Sequence, residues 1–257
     1  MTETTNPIGI PLDLTGRTAL ITGAGSGIGA ATAVALAGAG ARVALLGRRA
    51  DRLTQVARGI DGAAYAAADV TDRAALREAV RELRSTVGPF DLVCANAGAM
   101  LAAPFDTADE HEWERMVATN VTGLLTTARA TIDDLLSAAA DGRPADLVLT
   151  SSIGAHMVLP GYAVYTATKA AVTHLTTNLR AEYGPRGVRV RAIEPGMTES
   201  DLGQDMADPS AREFLQEFIV DNPPIPAAAI AESIRWSAAL PAQVNVASMI
   251  VMPTVQG

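Results

Sequence analysis

Tyr165 and Lys169 place a phenol and an amine four residues apart, a spacing that could support proton transfer. In a helix, this spacing puts both side chains on one face, within reach of one small molecule. Lys169 is also the only lysine among the chain's 20 basic residues. A compact ammonium group can give up a proton beside a phenol, whereas the guanidinium group of Arg stays charged. The pair therefore predicts a proton relay, and a Tyr/Lys pair on a helix surface is the alternative when this stretch is considered alone.

A glycine-rich segment, residues 23–29, lies between two predicted elements. The apolar run 17–22 precedes it as a predicted strand, and an Ala-rich predicted helix follows it to about Gly38. In this context, glycines let backbone N–H groups approach a phosphate, and the helix N-terminus adds favourable potential. The segment therefore predicts a dinucleotide pyrophosphate site, with a tight turn that binds nothing as the alternative. The expected contacts come from Gly23, Ser26, Gly27, Ile28 and Gly29.

A second predicted strand, residues 42–46, ends at Gly47 and is followed by Arg48 and Arg49. In a dinucleotide-binding fold, the end of this strand meets the adenosine ribose. An acidic residue there would repel a 2′-phosphate, whereas a guanidinium group binds phosphate and stacks on adenine. The two arginines therefore favour NADP(H) over NAD(H). The alternative is that they begin a solvated helix together with Asp51.

Two further predicted strands end in polar or small residues. Asp69 follows the weak strand 63–68, where its carboxylate could accept a hydrogen bond from an adenine amino group. A turn or helix-cap role is the alternative for Asp69, and Thr71 or Asp72 is expected to cap the next helix. The strand 90–95 leads into Asn96-Ala97-Gly98. Gly98 would let the backbone pass close to a ribose.

A long helix is predicted over residues 109–139, because apolar residues recur at spacings of three and four. Asn120 falls in its middle, followed by Gly123. Asn is a poor residue for a helix interior, since its side chain competes for backbone groups. Asn120 therefore indicates a kink or a polar role, and an exposed Asn is the alternative.

The elements together predict one α/β domain. Strands at 146–150, 188–193 and 248–252 continue the alternation with helices, which predicts a parallel, doubly wound sheet with helices on both faces. Residues 1–16 are predicted to form an N-terminal tail, and 17–257 the catalytic domain. Within it, the proline-containing stretch 197–226 is predicted to be a substrate lid.

Composition limits the classes of function. With 49% hydrophobic and 19% charged residues, the 257-residue chain is globular. A net charge of −8 and a pI near 4.9 argue against nucleic acid or an anionic membrane surface as the main partner. The single cysteine, Cys94, is expected to be a buried thiol in a reducing compartment. Three histidines without metal-ligand spacing, no signal peptide and no apolar run of about 18 residues predict a metal-free cytoplasmic protein.

These residues together resemble the short-chain dehydrogenase/reductase family over residues 15–255. The motifs follow the family's order and spacing, and Ser152 precedes Tyr165 by 13 residues, as the family pattern requires. They are Thr22-Gly23-x-x-x-Gly27-Ile28-Gly29, Asp69-Val70, Asn96-Ala97-Gly98, Asn120, Ser152, Tyr165-x-x-x-Lys169 and Pro195-Gly196.

The resemblance implies a Rossmann-type, seven-stranded parallel sheet in the order 3-2-1-4-5-6-7. It also implies a homodimer or homotetramer that packs through the Asn120 and Tyr165 helices. The C-terminal stretch is similar to the branch of NADP-dependent hydroxy-acid and serine dehydrogenases and antibiotic-pathway reductases. Two positions depart from the family pattern: Ala95 replaces an Asn, and Ser200 replaces a Thr. Either Thr198 or Ser200 could therefore hold the nicotinamide carboxamide.

The resemblance further implies a tetrad with divided roles. Tyr165 would exchange a proton with the substrate, and Ser152 would hold the substrate oxygen. Lys169 would favour the phenolate and bind the nicotinamide ribose, while Asn120 would hold a water on the proton path. The cofactor-binding residues would be Gly23, Ser26, Gly27, Ile28, Gly29, Arg48, Arg49, Asp69, Val70, Asn96, Gly98, Tyr165, Lys169, Pro195, Gly196 and Thr198.

The expected function is therefore an NADPH-dependent carbonyl reductase, reversible as an alcohol dehydrogenase, that acts on a small ketone, aldehyde or secondary alcohol. The alternatives are an NAD(H)-dependent alcohol dehydrogenase and a nucleotide-sensing regulator without turnover. The side chains expected to line a mostly apolar substrate pocket are His156, Met157, Met197, Leu202 and Met206.

Overall fold

The computed structural model describes residues 12–256, and the sheet within them has seven parallel strands. The strands are β1 (Thr18–Thr22), β2 (Arg42–Gly47), β3 (Ala64–Ala67), β4 (Leu92–Ala95), β5 (Ala145–Thr150), β6 (Val188–Pro195) and β7 (Ser248–Val251). Their order across the sheet is β3-β2-β1-β4-β5-β6-β7. This confirms the expected doubly wound α/β fold, whose strand order reverses between β1 and β4.

Helices cover both faces of the sheet, because strand side chains alternate between the two faces. Within β1, Ala19 and Ile21 point into the core that α1 and α8 complete, and Leu20 points into the core formed with α3 and α5. The helices are α1 (Gly27–Gly38), α2 (Ala50–Arg58), α3 (Arg73–Val87), α4 (Glu110–Val117), α5 (Leu124–Ala140), α6 (Ala163–Tyr183), α7 (Pro209–Asp221) and α8 (Ala227–Ala239).

The helix predicted over residues 109–139 is interrupted, so that prediction was wrong in its middle. A π-helical segment, Ala118–Gly123, separates α4 from α5. The Asn120 side chain leaves the helix and bonds to the neighbouring loop, and Gly123 lies against Val70, where an added Cβ would come within 2.7 Å of a Val70 methyl group. A π-helical segment holds one extra residue, which re-aims side chains at this point.

Leu14, within the predicted tail of residues 1–16, packs against the domain. Leu14 is 2% exposed and packs in the core beside α1, and its N–H donates to the Ala39 carbonyl. Residues 1–11 of the predicted tail lie outside the described residues. Of the two candidate caps for α3, Asp72 is the one used, because its carboxylate accepts from the N–H groups of Ala74 and Ala75.

A buried ionic network joins the amino-terminal ends of the central strands. The Asp146 carboxylate on β5 accepts from Arg17 and Arg189, each at 2.7 Å, and also from Arg191. Arg17 also bonds Asp91 at 2.8 Å. Arg189 donates to the carbonyls of Ala238, in the last turn of α8, and of Leu240, its C-cap, where a positive charge is favourable. This network therefore ties β1, β5, β6 and α8 together.

The stretch 197–226, predicted as a lid, contains α7 and leaves the sheet after β6. Its two ends are paired: Ile225 N–H donates to the Met197 carbonyl, and Glu199 N–H donates to the Ile225 carbonyl. The two ends of this stretch are thus hydrogen-bonded to each other.

Cys94 is fully buried in β4, as predicted, and burial raises the pKa of its thiol to about 12. No helix within residues 12–256 has the length and apolar character needed to cross a bilayer.

Candidate active site

A cavity of about 580 Å³ opens at the carboxyl ends of the strands. This is where ligands bind in open parallel sheets, at the point of reversal in strand order. The cavity brings together nearly all of the predicted site residues. Lining it are Gly23, Ser26, Gly27, Ile28, Arg48, Arg49, Asp69, Val70, Asn96, Gly98, Ser152, Tyr165, Lys169, Pro195, Gly196 and Thr198.

The glycine segment has the backbone geometry that its sequence predicts. Gly23 and Gly27 have φ values of 67° and 51°, a region that side chains beyond Gly rarely adopt. Gly29 is the one predicted glycine that packs behind the wall rather than lining it. A Cβ at Gly29 would lie 2.3 Å from the Gly23 carbonyl oxygen. The last glycine therefore allows α1 to pack closely on β1, while the preceding turn lies open to the cavity.

A set of hydrogen bonds joins the carboxyl ends of β1, β4 and β5. The Thr22 hydroxyl accepts from the N–H groups of Asn96 and Ala97, at 3.0 and 3.1 Å. The Asn96 amide donates to the Thr22 carbonyl at 3.2 Å, and the Thr150 hydroxyl donates to Asn96 at 3.3 Å. These bonds use the Asn96 side chain, so Asn96 shapes the cavity floor.

The two arginines after β2 lie exposed on the cavity rim. Arg49 donates to the Ser26 hydroxyl at 3.0 Å and to Asp201 at 3.2 Å, and both ionic groups are about half exposed. Asp69 at the end of β3 accepts from the N–H and hydroxyl of Thr71 through one carboxylate oxygen. The rim near β2 and β3 thus carries two guanidinium groups within a chain of net negative charge.

Tyr165 and Lys169 lie on the buried face of α6, with exposed fractions of 6% and 5%. The Lys169 ammonium lies 5.8 Å from the Tyr165 ring centroid and donates to the Thr150 carbonyl at 3.0 Å. Burial lowers the pKa of Lys169 to about 8. Burial also raises the pKa of Tyr165, and the hydrogen bond with Ser152 partly offsets that rise. Both groups therefore have perturbed acidity in one cavity, as catalytic groups often do.

Ser152 lies directly after β5, where a short 3₁₀ turn, Ile153–Ala155, begins. Its hydroxyl oxygen accepts from the Gly154 N–H at 3.0 Å, and Ser152 acts to lower the pKa of Tyr165 against the effect of burial. The neighbouring Ser151 hydroxyl donates to the Lys169 carbonyl at 2.8 Å. These adjacent serines therefore have separate tasks, because Ser151 anchors α6 to β5 and Ser152 faces the cavity.

Asn120 lies behind the cavity wall and is 1% exposed. Its side-chain oxygen accepts from the Ala99 N–H at 2.8 Å, and its amide donates to the Ala99 carbonyl at 2.9 Å and to the Thr168 hydroxyl at 3.0 Å. The side chain is thus committed to the loop after β4 and to α6. The water-holding role expected of Asn120 stays a prediction, and these side-chain atoms are already bonded to protein groups.

The stretch after β6 carries Pro195, Gly196 and Thr198. A Cβ at Gly196 would lie 2.4 Å from Met252 and 2.5 Å from the Gln256 side chain, so only glycine fits. Gln256 accepts from the Met197 N–H at 2.8 Å, a contact that no motif in the sequence indicated. The Thr198 hydroxyl donates to the Gly196 carbonyl at 3.0 Å.

An apolar cluster surrounds Tyr165 on the side away from the glycine turn. Its buried members are Leu101, Ala102, Met116, Tyr162, Met206 and Ala211. Three of the residues expected to line a substrate pocket do so: Met157, Met197 and Leu202. The other two expectations were wrong. Met206 is buried beneath the cavity wall, and His156 turns away to pair with the buried Glu194 carboxylate.

Three comparisons place this geometry among known proteins. A family model described as short chain dehydrogenase matches residues 17–211. Sulfoacetaldehyde reductase 2 of Chromohalobacter salexigens is 37% identical over 243 residues, covering 92% of this chain and 94% of that protein. Serine 3-dehydrogenase of Rhizobium radiobacter is 35% identical over 243 residues, covering 93% and 94%. An alcohol dehydrogenase from Thermococcus sibiricus, solved with 5-hydroxy-NADP, has a TM-score of 0.81 at 27% identity and covers 94% of this chain and 98% of its own.

Proposed function

Because the chain belongs to the short-chain dehydrogenase family, and is thus an oxidoreductase for alcohol or carbonyl substrates, we propose that it is an NADPH-dependent carbonyl reductase. In the reverse direction it would act as an alcohol dehydrogenase. One observation carries the proposal. Tyr165, Ser152 and Lys169 share one cavity wall, and the same cavity contains a glycine turn and two rim arginines.

The cavity residues fit an NADP-type dinucleotide. The open turn at Gly25, Ser26 and Gly27 would hold the pyrophosphate, since its glycines leave backbone N–H groups open to the cavity. Arg48 and Arg49 would bind the 2′-phosphate, and the free carboxylate oxygen of Asp69 would accept from adenine. The adenosine end of the dinucleotide would therefore lie beside β2 and β3.

The nicotinamide end would lie beside Tyr165 and the stretch after β6. Lys169 would bind the nicotinamide ribose where the backbone passes closely at Gly98. Of the two candidates for the carboxamide, the geometry favours Thr198, whose hydroxyl lies beside the Gly196 carbonyl. Ser200 instead lies against Gly27, near the pyrophosphate end. A Cβ added at Gly27 would come within 3.1 Å of the Ser200 Cβ.

The protein groups would handle the proton. A bound dinucleotide supplies the hydride. The Ser152 hydroxyl, oriented by the Gly154 N–H, would donate to the carbonyl oxygen and stabilise the charge that develops there. Tyr165 would then donate its proton to that oxygen, and the Lys169 ammonium would stabilise the phenolate that remains. Oxidation of an alcohol would reverse these proton movements.

Two features would support the same reaction. The stretch 197–226, closed at its base by Ile225, would act as a lid over the substrate end of the cavity. Packing through α5 and α6 in a homodimer or homotetramer would hold the Asn120 and Tyr165 helices in place. A cytoplasmic site, where NADPH is abundant, would suit the reductive direction.

Cofactor preference is tested by titrating the purified protein with NADPH and NADH and following nucleotide fluorescence. We expect NADPH to bind at least about tenfold more tightly, a difference of about 1.4 kcal/mol. Arg48→Ala should weaken NADPH binding more than NADH binding and so remove most of that preference, because the contact with the 2′-phosphate is lost. Arg58→Ala, an exposed arginine on α2 away from the cavity, is the control. Equal binding of both nucleotides would support the NAD(H)-dependent alternative.

The proton donor is tested with Tyr165→Phe. This variant should fold and bind nucleotide, but kcat for carbonyl reduction should fall by about 10²–10⁴-fold, since the phenolic proton is gone. Steady-state kinetics measure the loss, and the nucleotide titration with a thermal melt shows that the fold is intact. Turnover near that of the unaltered protein would remove Tyr165 from the mechanism. Nucleotide binding without turnover of any carbonyl or alcohol would instead support a sensing role.

A further inference from the structure

The substrate end of the cavity is lined by aromatic rings, although the whole chain has only two Trp, four Tyr and four Phe. Tyr162 at the N-cap of α6, Tyr165 on α6, and Phe214 and Phe218 on α7 line this cavity. The Tyr162 and Phe214 rings lie 5.9 Å apart, and Phe214 stacks with Phe218 at 6.1 Å. Such centroid spacings are typical of favourable aromatic contacts. The rings of Tyr162, Phe214 and Phe218 thus form a row that runs from the N-cap of α6 along α7.

Charge on the substrate side is neutralised within the protein. Arg115 of α4 is the one basic side chain there among residues 12–256, and it pairs with Asp205 of the lid at 2.6 Å. The other lining cations are Lys169, which bonds the Thr150 carbonyl, and the rim arginines near β2. Glu199 and Asp201 add negative charge to the same rim. An anionic substrate would therefore compete with Asp205 for Arg115.

The Tyr162 hydroxyl is a buried polar group without a hydrogen-bond partner in residues 12–256. Tyr162 itself is 4% exposed and lies one helical turn before Tyr165. Burial raises its pKa to about 12, and the nearby Tyr165 adds to the rise, so the phenol is neutral and can donate. Buried polar groups are nearly always paired, which makes this hydroxyl a candidate donor to a substrate acceptor beside the reacting carbonyl.

We propose that the physiological substrate class is an uncharged ketone that carries an aryl group and a second acceptor oxygen close to the carbonyl. The aryl group stacks on Phe214 and Phe218, and Tyr162 donates to the second oxygen. This proposal rests on the proposed reductase function, in which Tyr165 would give a proton to the carbonyl oxygen and a bound NADPH would supply the hydride, so that the products would be NADP⁺ and the secondary alcohol. Sulfoacetaldehyde and serine, which name two relatives of this chain, are charged molecules, so the specificity differs from what those names suggest.

The test is a set of four α-keto compounds that separates charge from ring. It consists of ethyl phenylglyoxylate, the phenylglyoxylate anion, ethyl pyruvate and the pyruvate anion, each assayed by NADPH oxidation. We expect kcat/KM for ethyl phenylglyoxylate to exceed each of the other three by at least about tenfold. A pyruvate or phenylglyoxylate anion used as well as the neutral aryl ester would overturn the proposal. Equal use of the two neutral esters would also overturn it.

Matched variants assign the preference to named side chains. Phe214→Ala should lower the preference for phenyl over methyl by about fivefold or more, because the stacking surface is lost. Phe105→Ala is the control, since that phenylalanine stacks with Trp113 and lies outside the cavity. Tyr162→Phe should raise KM for ethyl phenylglyoxylate by about fivefold and change kcat little. An unchanged aryl preference in Phe214→Ala, or an unchanged KM in Tyr162→Phe, would overturn the assignment of that contact.

The effect of the Arg115–Asp205 pair on substrate charge is tested with a third variant. Asp205→Asn removes the carboxylate that pairs with Arg115, and we expect it to raise kcat/KM for the phenylglyoxylate anion by about fivefold or more. Asp106→Asn, an exposed aspartate outside the cavity, is the control. No turnover of any of the four compounds would overturn the substrate proposal. The proposed reductase function would fail separately, only if a broad panel of carbonyls and alcohols also gave no turnover.

Discussion

At the scale of single residues, the pKa of Lys169 is set by burial, and its ammonium group bonds a backbone carbonyl rather than a carboxylate. Its ammonium donates to one backbone carbonyl, that of Thr150, and burial lowers its pKa to about 8. Tyr165 is shifted the other way, because burial raises the pKa of its phenol. A neutral phenol beside an easily deprotonated ammonium is a suitable resting state for a proton donor. Burial is therefore the main cause of the pKa shifts of both Tyr165 and Lys169.

The lowered pKa of Lys169 predicts the pH dependence of reduction. Below about pH 8 the ammonium is charged and stabilises the phenolate that forms when Tyr165 gives up its proton. Above about pH 8 this stabilisation is lost, whereas Tyr165, with its raised pKa, still carries its proton. We therefore expect kcat/KM for carbonyl reduction to fall as the pH rises through about 8.

The measurement is a kcat/KM profile from pH 6 to 10 with saturating NADPH. Lys169→Arg is the matched variant, because a guanidinium group keeps its charge across that range. Its activity should be lower at pH 7, but the decline near pH 8 should disappear. A flat profile for the unaltered protein, or the same decline in Lys169→Arg, would show that another group controls the reaction.

At the scale of elements, the π-helical segment between α4 and α5 connects the cavity loop to α6. Asn120 bonds both backbone groups of Ala99 and the hydroxyl of Thr168, which lies next to Lys169 on α6. The sequence predicted a helix here, and it identified Asn120 as out of place within it. The periodicity of apolar residues could not reveal the extra residue, since the contacts that stabilise it come from 21 and 48 positions away in the chain.

Loss of these contacts should loosen the loop after β4. In Asn120→Ala, we expect faster hydrogen exchange at the Ala99 amide and a fall in kcat of about tenfold or more, because Gly98 and Lys169 lose a common support. Hydrogen-exchange mass spectrometry and steady-state kinetics measure the two effects. Asn178→Ala on α6 is the control, since its side chain bonds only a local carbonyl. Faster exchange without loss of turnover would make Asn120 purely structural.

At the scale of the whole molecule, stability depends on charges buried at the amino-terminal ends of the central strands, opposite the cavity. Asp146 is fully buried among Arg17, Arg189 and Arg191. Burial acts to raise the pKa of Asp146, but the three arginines outweigh it and hold the pKa below its usual value of 3.8. Because the folded-state pKa is the lower one, this carboxylate contributes stability above pH 3.8, and the contribution is lost as the pH falls through the folded-state pKa.

Removal of this charge should destabilise the fold strongly. Asp146→Asn leaves three buried arginines without their common partner, and we expect the free energy of unfolding to fall by about 3–5 kcal/mol. Urea unfolding at pH 7 measures the difference. Asp133→Asn, which removes an exposed ion pair with Arg129, is the control and should change stability by less than about 0.5 kcal/mol. Similar losses in both variants would show that the buried network is not a major source of stability.

Much of this architecture was predictable because it depends on local order along the chain. The alternation of strands with helices and the glycine turn predicted the doubly wound sheet and the end at which a ligand would bind, and the structure confirms that fold. The polar residues at strand ends converge on one cavity, as their positions in the sequence implied. Contacts between distant segments were not predictable. The Gln256 support of Met197, the Arg115–Asp205 pair and the turn of His156 toward Glu194 depend on how loops pack in three dimensions.

The solitary lysine has a further consequence for covalent chemistry. Lys169 carries the only side-chain amine within the 257 residues, and it is buried at the bottom of the cavity. With a pKa of about 8, a substantial fraction of this amine is an uncharged nucleophile at mildly alkaline pH. Amine-selective acylating reagents thus meet one side-chain amine instead of many lysines spread over a protein surface. The rate at which Lys169 is modified would therefore measure how often the cavity admits solvent, and a bound ligand would lower that rate.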